Sequence, residues 1–302
     1  MSITRRQILA AAGSALVSGI LRANVQGNLE RVLNANTAGE VNRNGQIEIR
    51  KYVANATVTL FSIPLVSKSG VGSGYAVVEQ AGRTVAIQFG AGSWPESARG
   101  LNRLGFIQEG VIEERPGSPA ECAWLAFMTT SQEKNLEQAK KALEASSGMI
   151  PYSASQGYGR NGSFASRVDR LEFPSHYTWR DVNPLVEKAR QTMTGNAPEQ
   201  QDETDYADRP ATFLYMVRKA MLDARPRTTG SLVFNRKEFQ LDTQKEPDAS
   251  AAAHFAGKEL VSPSSVVTRM NAVLTRVSTG EKTPFRLWYE AGAAPALPLR
   301  FE

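Results

Sequence analysis

The chain is poor in the residues that build disulfides and metal centres. Its 302 residues include one cysteine, Cys122, and two histidines, His176 and His254. A single cysteine excludes an intramolecular disulfide, and so few thiol and imidazole groups argue against a structural zinc site. We therefore predict no metal and no cofactor.

The chain also lacks long apolar runs and a strong excess of one charge. Apolar residues make up 41% of the sequence and charged residues 22%, with 35 basic and 30 acidic side chains. This composition is typical of a globular protein, and it excludes a multi-span membrane protein, a collagen and a disordered polymer.

The first 23 residues have the pattern of an export signal. Two arginines precede a 14-residue apolar stretch at 8–21, which is too short to span a bilayer comfortably but suits a signal peptide. The run from Thr4 to Leu9 (TRRQIL) resembles the twin-arginine export motif, with Ile8 where phenylalanine is usual. We predict export to the periplasm or cell envelope, with cleavage near Ala23 or Gly27. Membrane contact is expected only if the signal stays uncleaved.

Removal of this signal changes the charge of the chain. Arg5, Arg6 and Arg22 would be lost, which leaves 32 basic against 30 acidic residues. A nearly neutral protein without a dense basic run gives no reason to expect nucleic-acid binding.

The region after the signal is rich in strands. Residues 24–46 are rich in Asn and Gly and read as a linker, whereas residues 47–130 alternate apolar and polar side chains between turn signals. We predict an antiparallel meander there, including a hairpin at Ala81-Gly82. Residues 151–163 read as a flexible Gly/Ser loop, and residues 163–173 as a strand.

Three helices are predicted, at residues 130–147, 184–193 and 211–224, although residues 212–217 (TFLYMV) of the third segment could also form a strand. The first has a capping box at Thr130 and Glu133, and the second begins at Pro184 behind Asn183. Strands are expected again in the segments that start at Ser231, Ser265, Thr283 and Leu297.

These elements define the predicted domains and fold class. The N-terminal β-meander with its helices covers 47–193, an acidic linker covers 194–210, and a β-rich half covers 211–302. The run from Asp202 to Asp208 is more typical of solvated linker than of a calcium loop, because no ordered glycine-bearing loop follows. The fold class is α+β: a curved antiparallel sheet or open half-barrels with about three packed helices.

Three segments of the second half carry a family resemblance. They are Asp208 with 212–218 (TFLYMVR), the pair 232–234 and 239–241, and Leu287-Trp288-Tyr289-Glu290 with 297–302 (LPLRFE). Together, across residues 205–302, they resemble a family of uncharacterised exported bacterial envelope proteins related to lipocalin-like half-barrels. The resemblance implies an architecture and an envelope location, and no reaction.

Catalytic motifs are weak in this sequence. Residues 157–162 spell G-x-G-x-x-G, but the dinucleotide fingerprint requires a strand before it and a helix after it. Neither histidine lies in a hydrolase motif, and Cys122 sits in an apolar run. Glu113 and Glu114 offer an acid/base pair without a defined spacing to any partner. These observations favour a non-enzymatic protein.

The aromatic residues offer one candidate binding site. Trp94 precedes Arg99 and Arg103, which are four residues apart and would share one face of a helical turn. Such a pair beside an indole ring suits an anionic head group or a glycan. We predict that Trp94, Arg99, Arg103 and Trp288 bind ligand, although core tryptophans with solvated arginines remain an alternative.

The expected function is therefore a binding or assembly role in the cell envelope, with an apolar or amphiphilic ligand such as a lipid or glycan. Two alternatives stay open. One is a structural component of an envelope or surface assembly with a protein partner, and the other is a hydrolase of an envelope polymer that uses His176 or His254.

Overall fold

The fold is known from a computed structural model. It describes residues 46–60, 63–93, 104–129, 141, 144–145, 148–160, 163–177, 181–195, 204–205, 211–234, 237–293 and 296–302. The predicted signal, nearly all of the 24–46 linker and most of the helix predicted at 130–147 lie outside these residues.

The first half of the chain forms one antiparallel sheet whose strands follow in sequence order. Its strands are β1 (Gln46–Leu60), β2 (Ile63–Ala81), β3 (Thr84–Ser93), β4 (Leu104–Arg115), β5 (Ser118–Thr129), β6 (Met149–Arg160), β7 (Ser163–Pro174) and β8 (Thr204–Asp205). The predicted meander over 47–130 is thus present as β1 to β5, and the Ala81-Gly82 hairpin joins β2 to β3.

The predicted loop at 151–163 is wrong, because residues 149–160 form β6. This strand pairs with β5 on one side and β7 on the other. Its small residues have low strand propensity, but they lie under large rings of the neighbouring strands. Helix α1 (Val182–Gly195) follows β7 and extends the predicted helix by two residues at each end.

The second half forms a smaller sheet. Its antiparallel strands are β9 (Arg227–Phe234), β10 (Lys237–Pro247), β11 (Val267–Arg276), β12 (Lys282–Glu290) and β13 (Arg300–Phe301), in the order β13-β12-β11-β10-β9. Helix α2 (Phe213–Leu222) precedes β9, as the periodicity predicts, and helix α3 (Ala249–Ala256), which was not predicted, follows β10.

Both faces of the large sheet are covered at its centre. On one face, Leu185 and Ala189 of α1 pack against rings such as Phe127 and Tyr152. On the other face, Trp124 packs with Tyr215 of α2 and Val233 of the small sheet. This double cover explains why residues 122–127 of β5 are all buried.

The predicted class is confirmed: the protein is α+β with open antiparallel sheets. The described residues contain three helices, and the two sheets do not close into a barrel. The sheets meet through α2 and through the C-terminal segment, where the Tyr52 hydroxyl donates to the Pro298 carbonyl at 2.8 Å.

Candidate ligand-binding groove

A groove of about 350 Å³ lies between α2 and the outer edge of β9. Five parts of the chain contribute to it: the start of β5, α2, the turn after α2, β9 and β10. The lining residues are Pro119, Met216, Lys219, Ala220, Asp223, Arg225, Thr228, Thr229, Gly230, Ser231 and Leu241. Ligand sites in proteins have volumes of roughly 300–1,000 Å³, so this groove suits a small ligand.

The apolar part of the groove belongs to the core of the small sheet. Ala220 and Leu241 are buried members of the cluster that α2 forms with that sheet, and Met216 packs against it. A Cβ atom on Gly230 would lie 2.2 Å from Met216 Cε, so the end of the methionine side chain lies directly over this glycine of β9. The result is a short apolar surface at the groove.

The polar part carries a cation. Lys219 lies in the last turn of α2, and no carboxylate among the described residues forms an ion pair with it. Arg225, in contrast, is bound to Asp223, with 2.6 Å between Nη2 and Oδ2. This hydrogen bonding lowers the pKa of Asp223 to about 2. The Asp223–Arg225 pair is therefore charge-neutral, and Lys219 leaves the groove with a net positive charge.

The end of α2 is fixed by a second lysine. Lys245 Nζ donates to the Ala220 carbonyl at 2.8 Å and also to the Asp223 carbonyl. A cation at this position complements the partial negative charge of a helix C-terminus. Burial lowers the pKa of Lys245, although the charge of Asp223 opposes this effect. Lys245 thus fixes the helix end that forms one wall of the groove, whereas Lys219 lines the groove itself.

The wall opposite α2 is the outer edge of a strand. β9 is the last strand of its sheet, and the Val233 N–H donates to the Ala211 carbonyl at 2.9 Å. Among the residues that the structure describes, no strand pairs with the edge of β9 between Arg227 and Ser231. The groove therefore offers backbone donors and acceptors of this strand. The Thr229 hydroxyl already donates to Asp242 Oδ1 at 2.8 Å, and the Thr228 hydroxyl is hydrogen-bonded to that of Thr243.

A buried polar cluster lies on the other side of α2, against the large sheet. Both oxygens of the Glu109 carboxyl accept 2.9 Å hydrogen bonds at the N-terminus of α2, from the N–H groups of Leu214 and Tyr215. Glu109 is 0% exposed. Burial raises its pKa to about 7, and the Thr212 side chain and the helix N–H groups oppose that rise.

The cluster continues along the helix. The Tyr215 hydroxyl donates to Glu113 Oε1 at 2.5 Å, and Arg218 Nη2 donates to Gln80 Oε1 at 2.6 Å. Burial lowers the pKa of Arg218 and raises that of the Cys122 thiol. Because Glu109 and Cys122 are closed off from solvent, this cluster orients α2 and offers no substrate access.

Of the four predicted ligand-binding residues, only Trp288 is among the described residues, and it does not line the groove. Trp94, Arg99 and Arg103 are outside the described residues. Trp288 is 7% exposed on the side of the small sheet that α3 covers, where its Nε1 donates to Asp248 at 2.9 Å. The Arg300 guanidinium lies 5.0 Å from its ring centre. The groove residues were missed because no local motif links segments so far apart in sequence.

The glycine-rich run and the two histidines, which were the other candidates for a functional role, lie in a hairpin, a turn and a helix. The G-x-G-x-x-G run spans the β6–β7 hairpin, with a strand rather than a helix after it. His176 is an exposed residue in the turn after β7, and His254 is an exposed residue on α3. The described residues contain no group of three or more His, Cys, Asp and Glu side chains suited to a metal ion. None of the described helices is long and apolar enough to cross a bilayer.

Comparisons with known protein families, with curated proteins and with solved structures find no match for this chain. The resemblance to lipocalin-like envelope proteins therefore stays a prediction.

Proposed function

We propose that this protein is an exported cell-envelope protein with a non-enzymatic binding role, and that the groove between α2 and β9 binds an amphiphile with an anionic head group. The observation that carries the proposal is the combination, in one groove, of a core-derived apolar surface with a lysine that has no ion-pair partner among the described residues. This site replaces Trp288, which lies under α3, as the place where ligand is expected.

The chemistry of the groove favours one class of ligand. A short acyl chain would bury apolar surface against Met216 and Leu241. A carboxylate or phosphate would accept charge-assisted hydrogen bonds from Lys219 and hydrogen bonds from backbone N–H groups at the open edge of β9. A wholly apolar ligand would leave the polar wall without partners, which costs binding free energy.

The envelope location rests on the sequence. Two arginines before a short apolar stretch, within residues 1–23, are typical of a signal peptide for export of folded protein. A fold that contains one buried free cysteine and needs no disulfide suits that route.

The proposal predicts selective binding of anionic amphiphiles. Decanoate titrated into the full chain below its micellar concentration should bind, and decanol should bind more weakly. Lys219→Gln should weaken decanoate binding about three- to tenfold, because one charge-assisted hydrogen bond is lost. Isothermal titration calorimetry at constant ionic strength measures both effects.

The matched control is Lys258→Gln, which removes an exposed lysine from the turn after α3 and should leave the affinity unchanged. Equal affinity of the wild type and Lys219→Gln for decanoate, or equal affinity of the wild type for decanoate and decanol, would show that the groove does not bind an anionic head group.

A further inference from the structure

The outer edge of β1 has no partner in the described part of the chain. β1 is the first strand of the large sheet, so its backbone groups bond to β2 on one side only. A strand of 15 residues with one open edge is a template for pairing with another strand. Folded proteins usually protect such an edge with charges, prolines or bulges.

The start of β1 has little of this protection. On one face it presents Ile47, Ile49 and Val53, which are 54%, 62% and 71% exposed. Lys51 is the one charged residue on that face between Gln46 and Val53. The register irregularities of β1 lie beyond this stretch, from Ala54 onward. This part of the edge is therefore regular, and its outward face is apolar apart from Lys51.

The opposite face of the same stretch carries one acid and one base. Arg50 Nε lies 2.6 Å from Glu48 Oε1, and each of these side chains is 21% exposed. Charges that are largely covered interact more strongly than fully exposed charges, because less water screens them. The two residues therefore constrain which strand can pair with this edge.

We propose that β1 pairs antiparallel with β1 of a second copy of this chain, with Ile49 on the two-fold axis. Residues directly opposite each other in an antiparallel pair have side chains on the same face. In a symmetric pair, the two-fold axis therefore passes midway between the two copies of one residue. Centring on Ile49 places Glu48 opposite Arg50 of the second copy and Arg50 opposite Glu48. Ile49 then packs on its counterpart.

Neighbouring registers are less favourable. Centring on Glu48, Arg50 or Lys51 places that charged residue opposite its own copy, and like charges directly opposite each other are destabilising. The Ile49 register also places Ile47 against the aliphatic part of Lys51, which can cover apolar surface and keep its charge in water. A single two-fold interface pairs the open β1 edge of one copy with that of the other, so the assembly stops at a dimer.

A charge-exchange series tests the pairing. The full chain should sediment as a dimer in analytical ultracentrifugation. Glu48→Arg and Arg50→Glu each place like charges opposite each other twice, and each should weaken dimerisation at least tenfold. The double variant E48R/R50E reverses every pair, so its dimer should return to within about threefold of the wild type.

A cross-linking pair tests the register. Ile49→Cys should give a disulfide-linked dimer on mild oxidation, since the two thiols would face each other across the axis. Val53→Cys is the matched control, because the two copies of residue 53 would lie about 27 Å apart at ~3.4 Å per residue. The native Cys122 is buried, so any cross-linked dimer can be attributed to the introduced cysteine.

A monomer at all concentrations would overturn the proposal. So would a double variant that stays as weak as the single variants, or cross-linking through residue 53 in place of 49. The dimer does not depend on the groove, so decanoate binding and dimerisation can fail separately.

Discussion

At the scale of single residues, two glycines of the G-x-G-x-x-G run show how packing can produce a functional motif by coincidence. A Cβ on Gly157 would lie 2.1 Å from the Trp124 ring, and one on Gly159 would lie 2.4 Å from the Phe164 ring. These glycines therefore make room for large aromatic rings on the neighbouring strands. Their spacing follows from the two-residue period of a strand and has no relation to phosphate binding.

This packing predicts that one added methyl group at Gly157 destabilises the protein. Gly157→Ala should lower the free energy of unfolding by about 1–3 kcal/mol, because Trp124 is fully buried and has no free space to move into. Urea denaturation of both proteins measures the change. Gly105→Ala is the control, since its nearest neighbour, Met128 Cβ, lies 4.0 Å from the added atom. An equal loss in both variants would contradict the role of the indole ring.

At the scale of elements, α2 is held at both ends by ionisable side chains, the buried Glu109 and the half-buried Lys245. Glu109 accepts from its N-terminal N–H groups, and Lys245 donates to carbonyls at its C-terminal end. Lys245 complements the helix dipole as a cation, and Glu109 does so in its ionised form. The helix is therefore placed against the large sheet and beside the groove by residues that lie far from it in sequence.

The Glu109 cap predicts a pH-dependent stability. Its pKa is raised from 4.5 to about 7 in the fold, so the folded chain binds this proton more tightly than the unfolded chain. The resulting stabilisation is present below pH 4.5 and is lost as the pH rises through 7. Between pH 5 and pH 8 the free energy of unfolding of the wild type should fall by about 2–3 kcal/mol relative to Glu109→Gln.

Urea denaturation at both pH values measures this difference. Glu114→Gln, an exposed acid on the same strand, should keep the wild-type dependence on pH. The same slope in wild type and Glu109→Gln would show that Glu109 does not titrate in this range.

Helix α3 illustrates an element that the sequence analysis missed. It has eight residues and only Phe255 fully buried, so its apolar period is weak. Its start is marked by Asp248, whose side chain accepts from the Ala251 N–H and also from Trp288. In the sequence, an aspartate directly before an alanine run could have indicated the start of this helix. The hydrogen bond from Trp288 to the same aspartate is known only from the fold.

At the scale of the whole molecule, the two sheets share one core. Leu297, between β12 and β13, packs in the cluster that contains Trp124 of β5 and Ala211 before α2. The ring of Phe301 lies 5.3 Å from Tyr52 and 5.2 Å from Phe89, measured between ring centres. The end of the chain thus joins the small sheet to the large one.

This shared core predicts cooperative unfolding. Leu297→Ala should lower the free energy of unfolding by about 2–4 kcal/mol, because a cavity forms between the sheets. Tryptophan fluorescence and far-ultraviolet circular dichroism should still report one coincident transition. Leu260→Ala, at a leucine that is 55% exposed, should change stability much less. Separate transitions for the two probes would mean that the sheets unfold independently.

The sequence alone determined the local structure of most strands and of two helices, because alternation, turn residues and helical periodicity are local properties. It thereby determined the α+β class with open antiparallel sheets. It did not determine β6, where small residues look like a loop until Trp124 and Phe164 cover them. Only the tertiary structure decided the cap of α2, the position of Trp288 under α3 and the groove at Lys219. Each of these depends on residues brought together across more than one element, and no local pattern records such contacts.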